Sequence, residues 1–453
     1  MSEVYRVKPF EKAVDIDVRV PGSKSMTNRA LLLAALAEGE SVLRGAGMSE
    51  DSRVFMEALR TLGFDLDELS DTDGDISIRI CGCGGLLPVK KADVYVGSAG
   101  TAARFLTAMM GLSDGCYEVT SSDQMKARPM RELLEALEQL GASFSFHEEP
   151  YAFPFTVYGR RHTENTGKPL PDEIPLNIDR SSQFLSALLL CGPMVPEGFT
   201  IRLTGSREAR SYVVITEHMM RQFGYPEANN DSPEQQSHAS VQLNQYTIIP
   251  SAVYRSRDYR IEPDVSAACY FYAMAAVSGG SARVRGVNRK NTQGDMRFLD
   301  VLEQMGCEVT EEKDGDILVF RDPNRPLHGL TVNMSDFSDQ TMTLAAVAPF
   351  ADSPTVITGV SHIRGQESNR ILAIVTELTR LGIRCEERED GVEIRPGTDS
   401  SGETLIETYQ DHRMAMAFAV LGTGRPGVVI DNPGCCRKTF EQFFTVLDAL
   451  KSP

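Results

Sequence analysis

Two kinds of hydrophobic helix alternate along this chain. The first is amphipathic, closes on a hydrophobe and a glycine, and leads into a short strand. Its copies are DSRVFMEALRTLGF, RPMRELLEALEQLGA, YVVITEHMMRQFGY, GDMRFLDVLEQMGCEV and ESNRILAIVTELTRLGI. The closing glycines, Gly63, Gly141, Gly224, Gly306 and Gly382, lie 78, 83, 82 and 76 residues apart. Glycine suits the residue after a helix because it adopts the left-handed conformation at little cost. A sixth copy, KTFEQFFTVLDAL, lies about where the next glycine would fall. The second kind is apolar nearly all round: RALLLAALAEG, TAARFLTAMMGL, SSQFLSALLLCGPM, SAACYFYAMAAVSGG, QTMTLAAVAPFA and HRMAMAFAVLG. A helix without a polar face belongs inside a domain. Between the helices, VYRVK, DIDVRV, YEVTSS, FTVYG, VQLNQYTIIP, ARVRGV, DILVF and GVEIRP read as strands. The repeat predicts six units of about 75 residues, each with an inner helix, an outer helix and several strands. Six units in 453 residues favour two domains of three units, each with its own core. The loops GRRHTENTGKPLPDEI and PEANNDSPEQQSHAS read as surface excursions.

Composition narrows the function. Apolar residues are 42% and charged residues 24%, ordinary for a globular α/β protein. The formal charge is −17, unsuited to a general nucleic-acid or anionic-membrane binder. No stretch approaches the ~20 apolar residues of a membrane span, and the first 20 residues carry charges throughout. Nine scattered cysteines fit a reducing, cytoplasmic setting.

Polar clusters recur at one end of the inner helices: PGSKSMTNR, GSAGT, DRSSQ, EPDVS, SDFSDQ and YQDHR. A helix N-terminus carries partial positive charge and unpaired N–H donors, so several such ends around one cleft make an anion site. The bland reading of each cluster is a helix cap. Lys24, Arg29, Arg104, Arg128, Arg370, Arg413 and Lys438 lie near helix starts. Each alone is by default a solvated charge; together they suit a multiply anionic ligand. GSKS departs from the Walker pattern, so no nucleotide site is expected. Cys81-x-Cys83 and Cys435-Cys436 lack partners at zinc spacing. No GxSxG or HExxH occurs, and His412 reads as a capping or packed residue.

Taken together, VPGSKSMTNRALLLAALAEGES, GSAGTAARFL, KARPM, RSSQFLSALL, TQGDMRFLDVLEQMG, SDQTMTLA, QESNRI and DHRMAMAFAVLG followed by CCRKTF resemble the EPSP synthase family, the 3-phosphoshikimate 1-carboxyvinyltransferases, from Pro21 to Phe440. The resemblance implies an α/β fold of two domains, each of three βαβαββ repeats with buried parallel helices inside and sheets outside, an inside-out α/β barrel. The domains expected are 1–20 with 262–453, and 21–261, with the active site in the cleft between them. It implies transfer of the carboxyvinyl group of phosphoenolpyruvate to the 5-hydroxyl of 3-phosphoshikimate with release of phosphate. The route is addition then elimination through a tetrahedral intermediate, without cofactor or metal, in a cytoplasmic monomer. Each phosphate carries about −1.5 to −2, so the two substrates bring roughly −5 to −6 together, which calls for a ring of cations. By the same resemblance Lys24, Ser25, Arg29, Ser181, Ser182, Gln183, Tyr212, Asp339 and Gln366 contact phosphoshikimate. Lys24, Gly100, Arg128, Gln183, Arg370, Arg413 and Lys438 contact phosphoenolpyruvate. Asp339 takes the 5-hydroxyl proton, Glu367 moves a proton at the methylene carbon, and Lys24 assists. Two carboxylates in separate roles suit a reaction that both adds and removes protons. Their bland readings are a helix cap for Asp339 and a surface residue for Glu367.

Four positions depart from the family pattern: Ser98, Ala209, His362 and Gln366. Arg364, Arg370, His362 and Arg210 are expected to compensate for the missing lysine at 366. Rival readings are the sister carboxyvinyltransferase of UDP-N-acetylglucosamine, a relative that binds without catalysis, and an RNA-processing enzyme on a related repeat fold; −17 sits badly with the last.

Overall fold

A computed structural model describes residues 4–70, 75–165, 170–206, 210–226, 244–397 and 402–450. Ala209 and most of the loop PEANNDSPEQQSHAS lie outside them. The chain divides into two compact units, Met1–Ser23 with Glu262–Pro453, and Lys24–Ile261. The first break falls after Ser23 rather than after Val20 for a local reason. Ser23 N–H donates to Glu262 O at 2.8 Å and Asp264 N–H to Pro21 O at 2.8 Å. These bonds, with the isolated antiparallel bridge between Gly22 and Pro263, tie residues 21–23 to the returning segment 262–264.

In the unit Lys24–Ile261, the helices Lys24–Leu36, Gly100–Gly111 and Gln183–Cys191 are buried along nearly their whole length. The helices Glu50–Thr61 and Arg131–Gln139 bury one face only. The strands form three sheets among the described residues, of four, four and three strands. Each begins with a parallel pair and continues antiparallel: Lys91–Tyr95 runs parallel to Cys116–Thr120, which pairs antiparallel with Phe155–Tyr158. A parallel pair needs a crossover, and the buried helix Gly100–Gly111 supplies it.

The other unit repeats this plan. Val265–Ser278, Thr341–Val347 and His412–Gly424 are the buried helices. Arg297–Gln304 and Arg370–Arg380 are amphipathic. Its sheets also join one parallel pair to antiparallel neighbours. Each unit has its own hydrophobic core. Among the described residues the strands stay in separate sheets, and none closes into a barrel.

The closing glycines behave as their spacing predicts. Gly63 has φ +89°, its N–H donates to Arg60 O at 2.9 Å, and Phe64 N–H donates to Leu59 O at 3.0 Å. This pair of bonds is a Schellman cap, which needs a left-handed residue. Gly141, Gly224, Gly306 and Gly382 repeat it. Strands with little apolar alternation, such as Glu38–Arg44, escape the sequence reading; pairing on both sides makes them strands. No helix of the described residues is long and apolar enough to cross a membrane.

Candidate active site

In the unit containing Glu262–Pro453, helix starts and one tight turn converge on Arg370. This first residue of its helix is 1% exposed, so its charge must be met inside the protein. Its Nε donates to Asp411 Oδ2 at 2.8 Å, Nη1 to Asp339 Oδ1 at 3.0 Å and Nη2 to Glu367 Oε2 at 2.9 Å. Burial lowers the basicity of Arg370, but Asp411, Glu367 and Asp339 more than offset it, so its pKa stands above the ordinary value. Arg413 Nη2 donates to Asp339 Oδ2 at 2.7 Å, and Lys438 Nζ lies 3.6 Å from Glu367 Oε1. Three cations therefore interleave with three carboxylates. Each cation lies within 4 Å of a carboxylate of the cluster.

Local structure explains the placement. Asp411 caps the helix His412–Gly424 by accepting from Arg413 N–H at 3.0 Å, and its carboxylate also reaches Arg370. Asp339 sits in the 3₁₀ turn Ser338–Gln340; its carboxylate turns to the two arginines, so the helix-cap reading is wrong for it. Glu367 is likewise no surface residue, with a side chain 11% exposed. His412 is 2% exposed and packed, while the cap is Asp411. Gln366 Oε1 accepts from Arg370 Nη1, so position 366 faces this cluster. His362 Nε2 meets Ser338 Oγ at 2.8 Å, one residue from Asp339. Arg364 does not compensate as expected: it donates to Glu387 and, at 2.8 Å, to Arg388 O.

In the unit Lys24–Ile261, Lys24 opens its helix and pairs with the buried Asp51 at 2.9 Å. Arg29, one turn on, is 1% exposed; it donates to Thr216 Oγ1 at 2.9 Å, Ser25 O at 3.0 Å and Ser186 Oγ at 3.3 Å. Its guanidinium carbon lies 5.8 Å from the Tyr212 ring centroid. Burial brings its pKa down to about 10, still charged at neutrality, and no carboxylate among the described residues forms an ion pair with it. Ser181 Oγ accepts from Gln183 N–H at 3.3 Å, and Ser182 precedes the helix Gln183–Cys191. Gln183 Oε1 accepts from Arg104 Nη1 at 2.7 Å, and Arg128 Nη1 donates to Ser98 O at 3.4 Å. Ser98 thus contributes its carbonyl, which its side-chain type leaves unchanged. A Cβ on Gly100 would come within 2.7 Å of Arg104 Nη1, 2.8 Å of Gln183 Oε1 and 2.9 Å of Arg128 Nη2. The glycine lets these three groups gather over the helix start.

Sequence reasoning misses Asp51, Asp411 and Asp295 as working carboxylates and does not carry Arg104 into the site. Asp411, directly before a wholly apolar helix, offers the clearest signal. Asp295 is 6% exposed; its Oδ2 accepts from Ser266 and, at 2.8 Å, from Gln340 Nε2. Burial first, then the charge of Asp339, push its pKa up to about 6 against the pull of Arg413, Ser266 and Gln340. A carboxyl whose folded pKa exceeds the unfolded value stabilises most below the unfolded value and loses that contribution as pH rises through the folded one. Asp295→Asn keeps an oxygen where both donors point. Relative to the parent it should gain stability between pH 4 and 7, of order 2 kcal/mol, read by urea denaturation at each pH. A constant difference across that range would refute this.

A family model described as EPSP synthase (3-phosphoshikimate 1-carboxyvinyltransferase) matches residues 10–447. A protein of Trichormus variabilis named 3-phosphoshikimate 1-carboxyvinyltransferase is 42% identical over 443 residues, 98% of each chain. One of the same name from Cellvibrio japonicus is 37% identical over 96% of each. Among solved structures, EPSP synthase from Acinetobacter baumannii superposes with a TM-score of 0.77 at 24% identity, covering 99% of this chain and 98% of that one.

Proposed function

The chain belongs to the EPSP synthase family, and we propose that it transfers the carboxyvinyl group of phosphoenolpyruvate to the 5-hydroxyl of 3-phosphoshikimate, releasing phosphate, in aromatic amino-acid biosynthesis. The observation that carries this reading is the convergence of Asp339 and Glu367 on Arg370, Arg413 and Lys438. Two carboxylates able to move protons stand among three cations able to hold a phosphorylated carboxylate. In this reading the 5-hydroxyl oxygen bonds to the central carbon of phosphoenolpyruvate while Asp339 takes its proton. The methylene carbon gains a proton by way of Glu367, giving a tetrahedral intermediate. Loss of phosphate and of one methyl proton restores the double bond. Lys24, Ser25, Arg29, Ser181, Ser182, Gln183 and Tyr212 hold phosphoshikimate, with Gln366 and Asp339 at its hydroxyls. Lys24, Gly100, Arg128, Gln183, Arg370, Arg413 and Lys438 hold phosphoenolpyruvate.

The same reading takes each unit as three βαβαββ repeats with helices inside and sheets outside, in a cytoplasmic monomer. The recurring element order and the distribution of matched residues over both units support it. A coupled phosphate-release assay with phosphoenolpyruvate and either phosphoshikimate or UDP-N-acetylglucosamine tests the function. Release with phosphoshikimate is expected; release only with the nucleotide sugar, or none, would overturn the reading.

Gly100→Ala tests the phosphoenolpyruvate side. Alanine fits the helical backbone, but its methyl must displace the ends of Arg104, Gln183 and Arg128. The KM for phosphoenolpyruvate should rise about tenfold, equivalent to ~1.4 kcal/mol, with the melting temperature unchanged. An unaltered KM would remove Gly100 from the site.

A further inference from the structure

We propose that Glu377, two helical turns beyond Arg370, is a positioning residue that holds a strained turn and thereby sets Asp411 against Arg370. The proposal rests on the carboxyvinyl-transfer reading above. Arg370 and Glu377 share the inner face of the helix Arg370–Arg380, together with Ile371, Ile374 and Leu378. Glu377 is fully buried, which a carboxylate tolerates only when its lone pairs are filled. Its Oε1 accepts from the Tyr409 hydroxyl at 2.9 Å, and its Oε2 from Glu407 N–H at 3.2 Å. Arg380 donates to both oxygens, at 3.1 and 2.8 Å.

The segment so gripped is unusual. Tyr409 and Gln410 both have left-handed backbone, φ +54° and +55°, and Asp411 N–H closes the turn on Thr408 O at 2.8 Å. A turn with positive φ at both central residues ordinarily takes glycine, asparagine or aspartate there. Two larger side chains hold this geometry only where the surroundings impose it. The grip of Glu377 on residues 407 and 409 is such an imposition. The turn ends at Asp411, whose Oδ2 receives Arg370 Nε at 2.8 Å and the Ser368 hydroxyl at 3.1 Å, while Oδ1 receives Arg413 N–H at 3.0 Å. One helix thus presents Arg370 at its start and, two turns later, fixes the turn that orients it. Glu377 touches no substrate in this account and acts through Asp411 and Arg370.

The test compares Glu377→Gln, Tyr409→Phe and the double variant Glu377→Gln with Gln410→Gly in the phosphate-release assay. Glutamine presents a donor to one side of a ring of donors, and phenylalanine removes only the Tyr409 hydroxyl. The KM for phosphoenolpyruvate should rise about fivefold or more in both single variants, with the KM for phosphoshikimate within twofold of the parent. The glycine introduced by Gln410→Gly takes the left-handed turn unaided, so the double variant should recover at least half of the loss. A purely structural role would lower the melting temperature without moving one KM apart from the other, and glycine would not restore it. An active parent with both KM values unchanged in Glu377→Gln and Tyr409→Phe, or no recovery on adding Gln410→Gly, overturns the proposal alone. A parent inactive with phosphoshikimate overturns the functional reading and this proposal with it.

Discussion

Asp339→Asn is expected to lower turnover by about 10² or more, the range for loss of a positioned acid–base group. The substitution keeps the shape and removes the charge and the basicity. It also unbalances the two arginines: the Asp339 oxygens receive Arg370 at 3.0 Å and Arg413 at 2.7 Å. An amide offers one acceptor oxygen and turns its NH₂ toward the second guanidinium, so one of the two arginine contacts at this side chain is lost. A cation released from a carboxylate is freer to bind an anion. The KM for phosphoenolpyruvate should therefore hold or fall while kcat collapses, a split that separates loss of the base from loss of the binding site. Steady-state phosphate release and titration calorimetry with phosphoshikimate read both quantities. Turnover within tenfold of the parent would disqualify Asp339 as the base.

Arg370→Met is expected to be the most damaging single change to stability. Methionine fills much of the volume, but the three carboxylates that meet at Arg370 remain, with Arg413 and Lys438 as their described cations. Removing one partner of a buried pair costs about 3–5 kcal/mol, which for a unit of this size lowers the melting temperature by roughly 10 °C. Melting curves at neutral pH check this; a drop below about 3 °C would show that the cluster is not held together by Arg370. Turnover should be undetectable.

Much of the fold is legible in the residues alone, and the reason is locality. The five glycine caps depend on five or six consecutive residues, so a period near 80 in the sequence becomes five identical hydrogen-bond patterns. The buried helices are legible because a helix with no polar face has only one kind of place to go. The cations are legible as a set because each lies at or near the start of such a helix. The strand Glu38–Arg44 is not, since its glutamates and glycine carry no alternation and its identity comes from neighbours on both sides. The gathering of Arg104, Gln183 and Arg128 over Gly100 is invisible too, because it joins segments up to about 80 residues apart.

The helices and their caps, the acidic balance, the family and the residues that bring charge to helix ends all follow from the order of residues along the chain. The pairing of those charges does not; it comes from packing. Arg370 meets Asp411 across 41 residues, Arg413 meets Asp339 across 74, Gln340 meets Asp295 across 45 and Lys24 meets Asp51 across 27. A cap or a hydrophobic stripe is fixed by neighbours within one or two turns, whose relative positions the backbone dictates. The acceptor a buried guanidinium finds depends on how distant helices pack, because burial makes an unpaired charge intolerable but does not say which carboxylate answers it.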